Sequence, residues 1–510
     1  MPAEHAILTT RAMGEADAYA IRNGRPGAVL MEAAARGAFE AIRTRWAARP
    51  AAVLCGPGNN GGDGWAAARM LHEAGWPVEV FSLVDRESLK GDAARAAAGW
   101  RGPVRPLAEC DPARYGLLID ALFGAGLTRP LEGEAARLAR ESAASGAVIV
   151  SMDAPSGVDG DRARADGPAF RADLTVTFHR LKPVHVLQPG AAACGEIVLA
   201  GIGVPDGWEN AADPCAEHND PDLWTVPGLG LEANAHKHSR GRLVVLSGPA
   251  GATGAARLAA AAGLIGGAGF VTLLCPPGAL GEASAASRSI VTRALEQGGF
   301  DGALANHRAS AALLGPGAGL NGELRARVLA ACASTTPLVL DADALTVFES
   351  DPDALFRVLH PACVLTPHAG EFDRLFPGLA GGALNKIEAA RQAAKLSGAV
   401  IVFKGPDTVI AAPDGRVRVN THASPRLATA GTGDVLAGLT ASFMAQGADS
   451  FDSASAAVWI HGEAGRRLGP GAMVEDVLNR LPEALGMAGD IRKRRAVLLR
   501  LCRLSESRLG

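Results

Sequence analysis

Ala51-Ala-Val-Leu-Cys-Gly-Pro-Gly-Asn-Asn-Gly-Gly-Asp-Gly64 runs an apolar segment into a glycine-rich turn, and a helical period follows at Trp65–Ala74. A short apolar run closed by glycines and followed by a helix is one half of a βαβ unit. Outward from it the rhythm recurs. A helix fits Gly27–Arg45, and strands fit Val78–Val84, Leu117–Ile119, Val148–Met152, Leu174–Phe178 and Ile197–Ala200. Strands separated by helices pair in parallel through right-handed crossovers, which predicts a doubly wound sheet. Asn210–Ala235 loses periodicity and collects Asp, Pro, Gly and Asn, as a domain boundary does. Beyond it strands fit Gly241–Leu246, Phe270–Cys275, Ala312–Leu314, Leu338–Leu340, Cys363–Leu365 and Ala399–Phe403. A hairpin at Val409–Val419 and helices at Asp434–Gln446 and Ser455–Arg467 complete the second half. Two doubly wound α/β domains are expected, at residues 1–215 and 236–488, with a linker at 216–235 and a basic tail at 489–510.

Composition agrees with that plan. The chain has 510 residues, 50 Lys+Arg against 53 Asp+Glu, a net charge of −3, 48% hydrophobic and 20% charged residues. At about 100–200 residues per domain the length supports two or more cores. Near-neutral charge excludes a broad basic field for nucleic acid, and 5% aromatics exclude a stacking platform. The 63 glycines cluster at strand ends without a repeat. The eight cysteines form no C-x-x-C pair, and Cys55, Cys275 and Cys363 fall in apolar runs, where buried thiols are expected. No secretory signal opens the chain, and no window of about 18 apolar residues spans a membrane. A soluble, reduced, cytoplasmic protein follows as the expectation, without nucleic-acid or membrane partners. The tail, with Arg492, Lys493, Arg494 and Arg495, is expected as a partly frayed, solvated extension; an amphipathic helix carrying Leu498, Leu499, Leu501 and Leu504 is the alternative.

In open parallel sheets ligands bind beyond the carboxyl ends of strands. In the first half those ends read Gly56–Gly64, Asp120–Leu127 and Asp153-Ala-Pro-Ser-Gly157. Gly56-x-Gly58-x-x-Gly61 formally meets the dinucleotide fingerprint, with Asp85 ending the next strand. Asn59, Asn60 and Asp63 depart from a dehydrogenase by placing polar side chains where bare backbone is usual. Capping of helix-start amides by Asn60 or Asp63 is the plainer alternative. Asn60, Asp120 and Ser156 offer oxygen only, which suits a hard cation and not zinc. Asp153 could instead serve as a proton-transfer base.

In the second half, Ala428-Thr-Ala-Gly-Thr-Gly-Asp-Val-Leu436 places a glycine-rich turn at a helix start, a ready anion site. Asp434 there would repel an anion, so it is better read as a base for a hydroxyl that attacks phosphate. Gly315–Gly319, Asp341-Ala-Asp343, Thr366–Glu371 and Lys404–Thr408 flank the same sheet edge, and no P-loop motif is present. His368 follows a strand and reads as a ligand contact. His236 and His238 flank Lys237 in what reads as a solvated linker, and His461 reads as packing or surface.

These motifs, in this order from Met1 to Leu485, resemble the bifunctional NAD(P)H-hydrate repair enzymes: a Rossmann-like epimerase followed by a ribokinase-like dehydratase. The resemblance implies that the first domain interconverts R and S hydrates of NADH and NADPH. Asn59, Asn60, Gly61, Gly62 and Asp63 would hold the hydrate with Gly124, Ala125, Gly126, Leu127, Thr128, Arg129 and Pro130. Asp153 would contact it near the epimerised carbon, and Asn60, Asp120 and Ser156 would bind potassium. The second domain would dehydrate the S form with ADP or ATP and Mg2+. Ala255, Gly317, His368 and Asp434 match the hydrate positions, and Lys404, Gly405, Pro406, Asp407, Thr408 and Gly433 the nucleotide positions. The resemblance also implies a homo-oligomer. Departures occur at Ala423–Leu427, at Ala369 and in the stretch after Lys182-Pro183; none removes a polar group that the chemistry needs. A ribokinase-like small-molecule kinase fused to a non-catalytic binding module is the alternative.

Overall fold

The residues 51–55 are all buried, and they alternate between two cores: Ala51, Val53 and Cys55 face one side, Ala52 and Leu54 the other. A strand apolar on both faces must be covered by helices on both, so the pattern itself demands a doubly wound sheet. The computed structural model describes residues 3–229, 240–285, 287–295 and 300–506; the pair His236 and His238 lies outside them. The chain forms two compact units, Met1–Glu217 and His218–Gly510.

Strands along the first unit are β1 (Ala6–Ile7), β2 (Ala51–Cys55), β3 (Val78–Ser82), β4 (Val104–Pro106), β5 (Leu117–Ala121), β6 (Val148–Met152), β7 (Leu174–Phe178), β8 (Glu196–Ala200) and β9 (Ala216–His218). The parallel sheet runs β4-β3-β2-β5-β6-β7-β8. The chain winds outward from β2 in one direction and from β5 in the other. The loops after β2 and β5 therefore part at a switch point, where a crevice opens. β4 escapes sequence reading because it is a three-residue, fully exposed edge.

The glycine-rich segment is not the loop that the sequence suggests. The helix Asn59–Glu73 begins at Asn59, so Asn60, Gly61, Gly62 and Asp63 form its first turn. Glycine is a poor helix former, but a Cβ on Gly61 would lie 1.9 Å from the Gly56 carbonyl oxygen. The N-cap is Gly58 and no side chain caps it, so the capping alternative for Asn60 or Asp63 is not what the structure contains.

The second unit adds β10 (Arg242–Leu246), β11 (Phe270–Cys275), β12 (Val291–Ala294), β13 (Ala311–Leu314), β14 (Leu338–Leu340), β15 (Cys363–Leu365), β16 (Val400–Phe403), β17 (Thr408–Ala411) and β18 (Val417–Asn420). They are ordered β18-β17-β16-β15-β14-β13-β10-β11-β12, parallel except for the hairpin-linked β16-β17-β18. The switch point here lies between β10 and β13. Helices Gly254–Ile265 and Thr432–Ala445 pack closely: Ser442 donates to the Gly263 carbonyl at 2.7 Å and accepts from Ala268 N at 3.1 Å. As far as Glu506 the tail is helical, the form expected as the alternative and not the frayed extension. It continues the helix Val474–Glu506, which starts well before the expected boundary at 489. Cys55, Cys275 and Cys363 are buried free thiols, as expected. Among the described residues no helix is long and apolar enough to cross a membrane.

Candidate active sites

In the first unit, Asp153 leaves the end of β6 with φ 65°, in the left-handed region that is uncommon outside glycine though aspartate tolerates it better than most residues. Its carboxylate is held on both oxygens. Lys182 Nζ lies 2.7 Å from Asp153 Oδ1, Thr177 donates to the same oxygen at 3.1 Å, and Ala125 N donates to Oδ2 at 2.9 Å. Lys182 is 2% exposed and also donates to Thr177 Oγ1 and the Phe178 carbonyl. His185 completes the frame: Nδ1 accepts from Lys182 N at 2.9 Å and Nε2 meets the Asp153 carbonyl at 2.7 Å. That pattern is a neutral imidazole, and burial together with the Lys182 charge pushes His185 down to about 4. Burial alone would raise Asp153, but the Lys182 ammonium and its hydrogen bond reverse this and hold the carboxyl at about 2. A carboxylate so strongly held is a poor base; it is suited to orienting a ligand.

Asp153 and Lys182 line a cavity of about 650 Å3 with Asn59, Asn60 and Asp63 of the helix start, and Gly124–Leu127 and Arg129 of the loop after β5. Gly61 and Gly62 are buried beneath the helix start, and Thr128 and Pro130 are exposed outside the cavity lining. Asp120 and Ser156 meet behind it. Asp120 accepts from Ser156 Oγ at 2.6 Å, Ser156 N at 2.8 Å, Ser151 Oγ at 3.0 Å and Leu122 N at 3.3 Å. Asp120 is 0% exposed and has no basic side chain among these partners, and burial raises its pKa against those hydrogen bonds. With its amide turned to satisfy both ends, Asn60 donates to the Met152 carbonyl and accepts from Gly124 N. A buried carboxylate with no basic partner, among hydroxyl, carbonyl and amide oxygens, is a donor set that suits a hard cation.

In the second unit, Lys404 Nζ sits 2.9 Å from Asp341 Oδ1 and 3.9 Å from Glu371 Oε2, and Thr366 donates to Asp341 at 2.7 Å. Gly433 lies over this pair: a Cβ there would be 3.6 Å from Lys404 Nζ. Asp434, one residue on, is pushed up to about 7 by burial first and by Asp341, against the pull of Lys404. Gly431, at φ 91°, is the N-cap of that helix. Gly317 and Ala255 are neighbours, since a Cβ on Gly317 would lie 3.5 Å from that of Ala255. His368 is the N-cap of helix Ala369–Leu375; its Nδ1 accepts from Gly370 N and Glu371 N, and Glu371 accepts from His368 N. Asp407 pairs with Lys386 at 2.7 Å, and Thr408 bonds to Gly405 at both N and O. Those two side chains hold the loop, while Gly405 and Pro406 are exposed. His461 is buried on helix Ser450–Arg466.

Comparison with known proteins follows the two units. Residues 243–485 match the family described as NAD(P)H-hydrate dehydratase, and residues 27–184 match the one described as YjeF-related protein N-terminus. A bifunctional NAD(P)H-hydrate repair enzyme of Thermofilum pendens is 34% identical over 466 residues, covering 85% of this chain and 87% of that one. Its counterpart from Moorella thermoacetica is 34% identical over 526 residues, covering 94% and 96%. The chain belongs to the bifunctional NAD(P)H-hydrate repair enzyme family. Among solved structures, an ADP/ATP-dependent NAD(P)H-hydrate dehydratase of Bacillus subtilis, co-crystallized with ATP and Mg2+, is 23% identical. It covers 52% of this chain and 96% of its own, with TM-score 0.44.

Four residues that line the cavity or pair with the expected site residues were not singled out from the sequence: Lys182, Asp17, Asp341 as the partner of Lys404, and Lys386. Lys182 and Lys386 find their carboxylates 29 and 21 residues away, through the fold alone. Asp17 had a usable signal. It stands between Met13 and Ala20 on the buried stripe of helix Thr10–Arg22, where a carboxyl is out of place.

Proposed function

We propose that this protein repairs hydrated NADH and NADPH in two steps, inverting R to S in residues 1–215 and dehydrating S in residues 236–488. The observation that carries the reading is the second unit's helix start, where an anion-binding turn, the Asp434 carboxyl and the Lys404 ammonium converge. Hydroxide is a poor leaving group; once phosphorylated it leaves as phosphate. Asp434 takes the hydroxyl proton, the amides of residues 431–433 bind the phosphoryl group, and Lys404 offsets the charge that develops there. Gly405 and Pro406 offer backbone to the nucleotide of ADP or ATP, which Mg2+ accompanies; Asp407, Thr408 and Gly433 keep that loop and turn in shape. Ala255, Gly317 and His368 border the hydrate.

In the first unit, Asn59–Asp63 and Gly124–Pro130 embrace the hydrate and Asp153 orients it. Asn60, Asp120 and Ser156 would hold potassium, which neutralises a buried carboxylate at the meeting of three strand ends. A cytoplasmic homo-oligomer completes the proposal. Incubation with hydrated NADH, Mg2+ and ADP or ATP tests it. Reduced-nicotinamide absorbance should return with release of inorganic phosphate, and inversion should slow without potassium. A phosphorylated product that accumulates would mark a kinase instead.

A further inference from the structure

Among the charged side chains that line the first unit's cavity are the carboxyls of Asp17, Asp63 and Asp153 and the ammonium of Lys182. Lys182 is committed to Asp153. Among the described residues, neither Asp17 nor Asp63 makes an ion pair; Asp92 and the exposed Arg129 are the other charged residues on the lining. Asp17 Oδ1 is buried with no hydrogen-bond partner among the described residues. An ionised oxygen in that position has lost its hydration without replacement, a cost that a proton or a substrate hydroxyl would remove. Two further carboxylates beside an already neutralised pair also repel each other. Burial, aided by Asp153 and opposed by Lys182, pushes Asp17 up to about 6, and burial drives Asp63 well above the carboxylate range. Asp153 is thus held ionised, Asp17 titrates at about 6, and burial favours the neutral form of Asp63, a separation of neighbouring carboxyls by environment that sets acid and base roles apart.

We propose that Asp17 is the proton donor and acceptor at the inverted carbon, within an ionic frame fixed by Asp153 and Lys182. The proposal rests on the epimerase activity proposed for this unit. In a hydrated dihydronicotinamide the hydroxyl sits on a ring carbon bonded to nitrogen. Protonated Asp17 gives its proton to that oxygen, the C–O bond breaks with its electron pair leaving on water, and the nitrogen lone pair forms C=N. Water then adds to the opposite face, the C=N pair returns to nitrogen, and the proton lost by the water returns to Asp17. Only water is exchanged.

The test uses the full chain and purified R hydrate without nucleotide. Wild type should reach the R/S equilibrium, and Asp17→Asn should be slower by about 10²–10⁴-fold in kcat with KM little changed. The wild-type rate should fall as pH rises through about 6, because the acid form starts the reaction, and Asp17→Asn should lack that limb. Asp17→Glu keeps a titrating group and should recover part of the rate together with the limb. In oxygen-18 water every inversion should bring solvent oxygen into the hydrate. A wild type that does not invert R would overturn the epimerase activity itself. Inversion by wild type that Asp17→Asn matches, that Asp17→Glu supports no better than Asp17→Asn, or that proceeds without heavy oxygen would overturn the assignment to Asp17.

Discussion

Lys182 and Asp434 show how a single environment sets what a residue can do. Lys182→Met leaves the Asp153 carboxylate buried without its counter-ion, a change that typically costs about 3–5 kcal/mol. Asp153 has an ordinary value of 3.8 and is held at about 2 in the fold, so its ionised form adds stability above 3.8 that fades as pH falls through about 2. The variant should therefore lose most stability at neutral pH and little near pH 2. Urea unfolding followed through the buried Trp65, Trp76 and Trp100 measures this, and equal midpoints at pH 7 would remove the pair from the stability of the unit. Asp434 is the opposite case. Pushed up to about 7, it is a base only when ionised, so dehydration should speed up as pH rises through about 7 and then level off. Asp434→Asn should lose that limb and about 10²–10⁴-fold in rate while nucleotide binding persists. Dehydration measured across pH on the S hydrate decides it. The place of Asp434 in the first turn of a helix was legible because the glycine-rich turn before it is local. Lys182 was not, because nothing in the spacing of 29 residues states that the loop after β7 folds back onto the end of β6.

At the scale of elements, the strands were legible where both faces are buried: β2, β6, β7, β11, β14 and β15 begin and end where their apolar runs do. The exposed β4 and the partly exposed β12 were not, since an edge strand has little apolar pattern to show. Helix starts were misplaced for a related reason. Asn59–Asp63 looks like a loop by propensity, yet tertiary contact overrides propensity, because the close approach of strand and helix leaves no room for side chains. The same logic predicts opposite signs for two glycines in helices. Gly438 faces the Ala259 carbonyl oxygen, 2.1 Å from where a Cβ would be, and backbone cannot move aside as a side chain can. Gly438→Ala should separate helices Gly254–Ile265 and Thr432–Ala445 and destabilise the second unit by about 1–3 kcal/mol. Gly486, within helix Val474–Glu506, has nothing within 4 Å, so Gly486→Ala should stabilise it by up to about 1 kcal/mol. Thermal unfolding of the two variants beside wild type measures both. If the two shifts share a sign, the packing account fails for one of them.

For the whole molecule the question is why two activities share a chain. A site that holds one hydroxyl beside Asp434 and a phosphoryl donor must distinguish epimers, since inverting the carbon swings the hydroxyl out of line. The second unit alone should therefore consume the S form and stop. Asp153→Asn in the full chain should show a fast phase equal to the S fraction, and then only the slow spontaneous inversion of R. The residues described for each site belong to one unit: Asp153, Lys182, Thr177 and Ala125 to Met1–Glu217, and Asp341, Lys404 and Asp434 to His218–Gly510. Two defective chains should then make one working system. Mixing full-length Asp153→Asn with full-length Asp434→Asn should restore complete consumption of an R/S mixture, because S made by one chain diffuses to the other. The slow phase should accelerate in proportion to the added Asp434→Asn. A mixture that still stalls at the S fraction, with Asp434→Asn shown to equilibrate R and S by itself, would mean that the hydrate must pass between sites of a single chain. Physical linkage would then be part of the mechanism and not only a means of making both activities in equal amount.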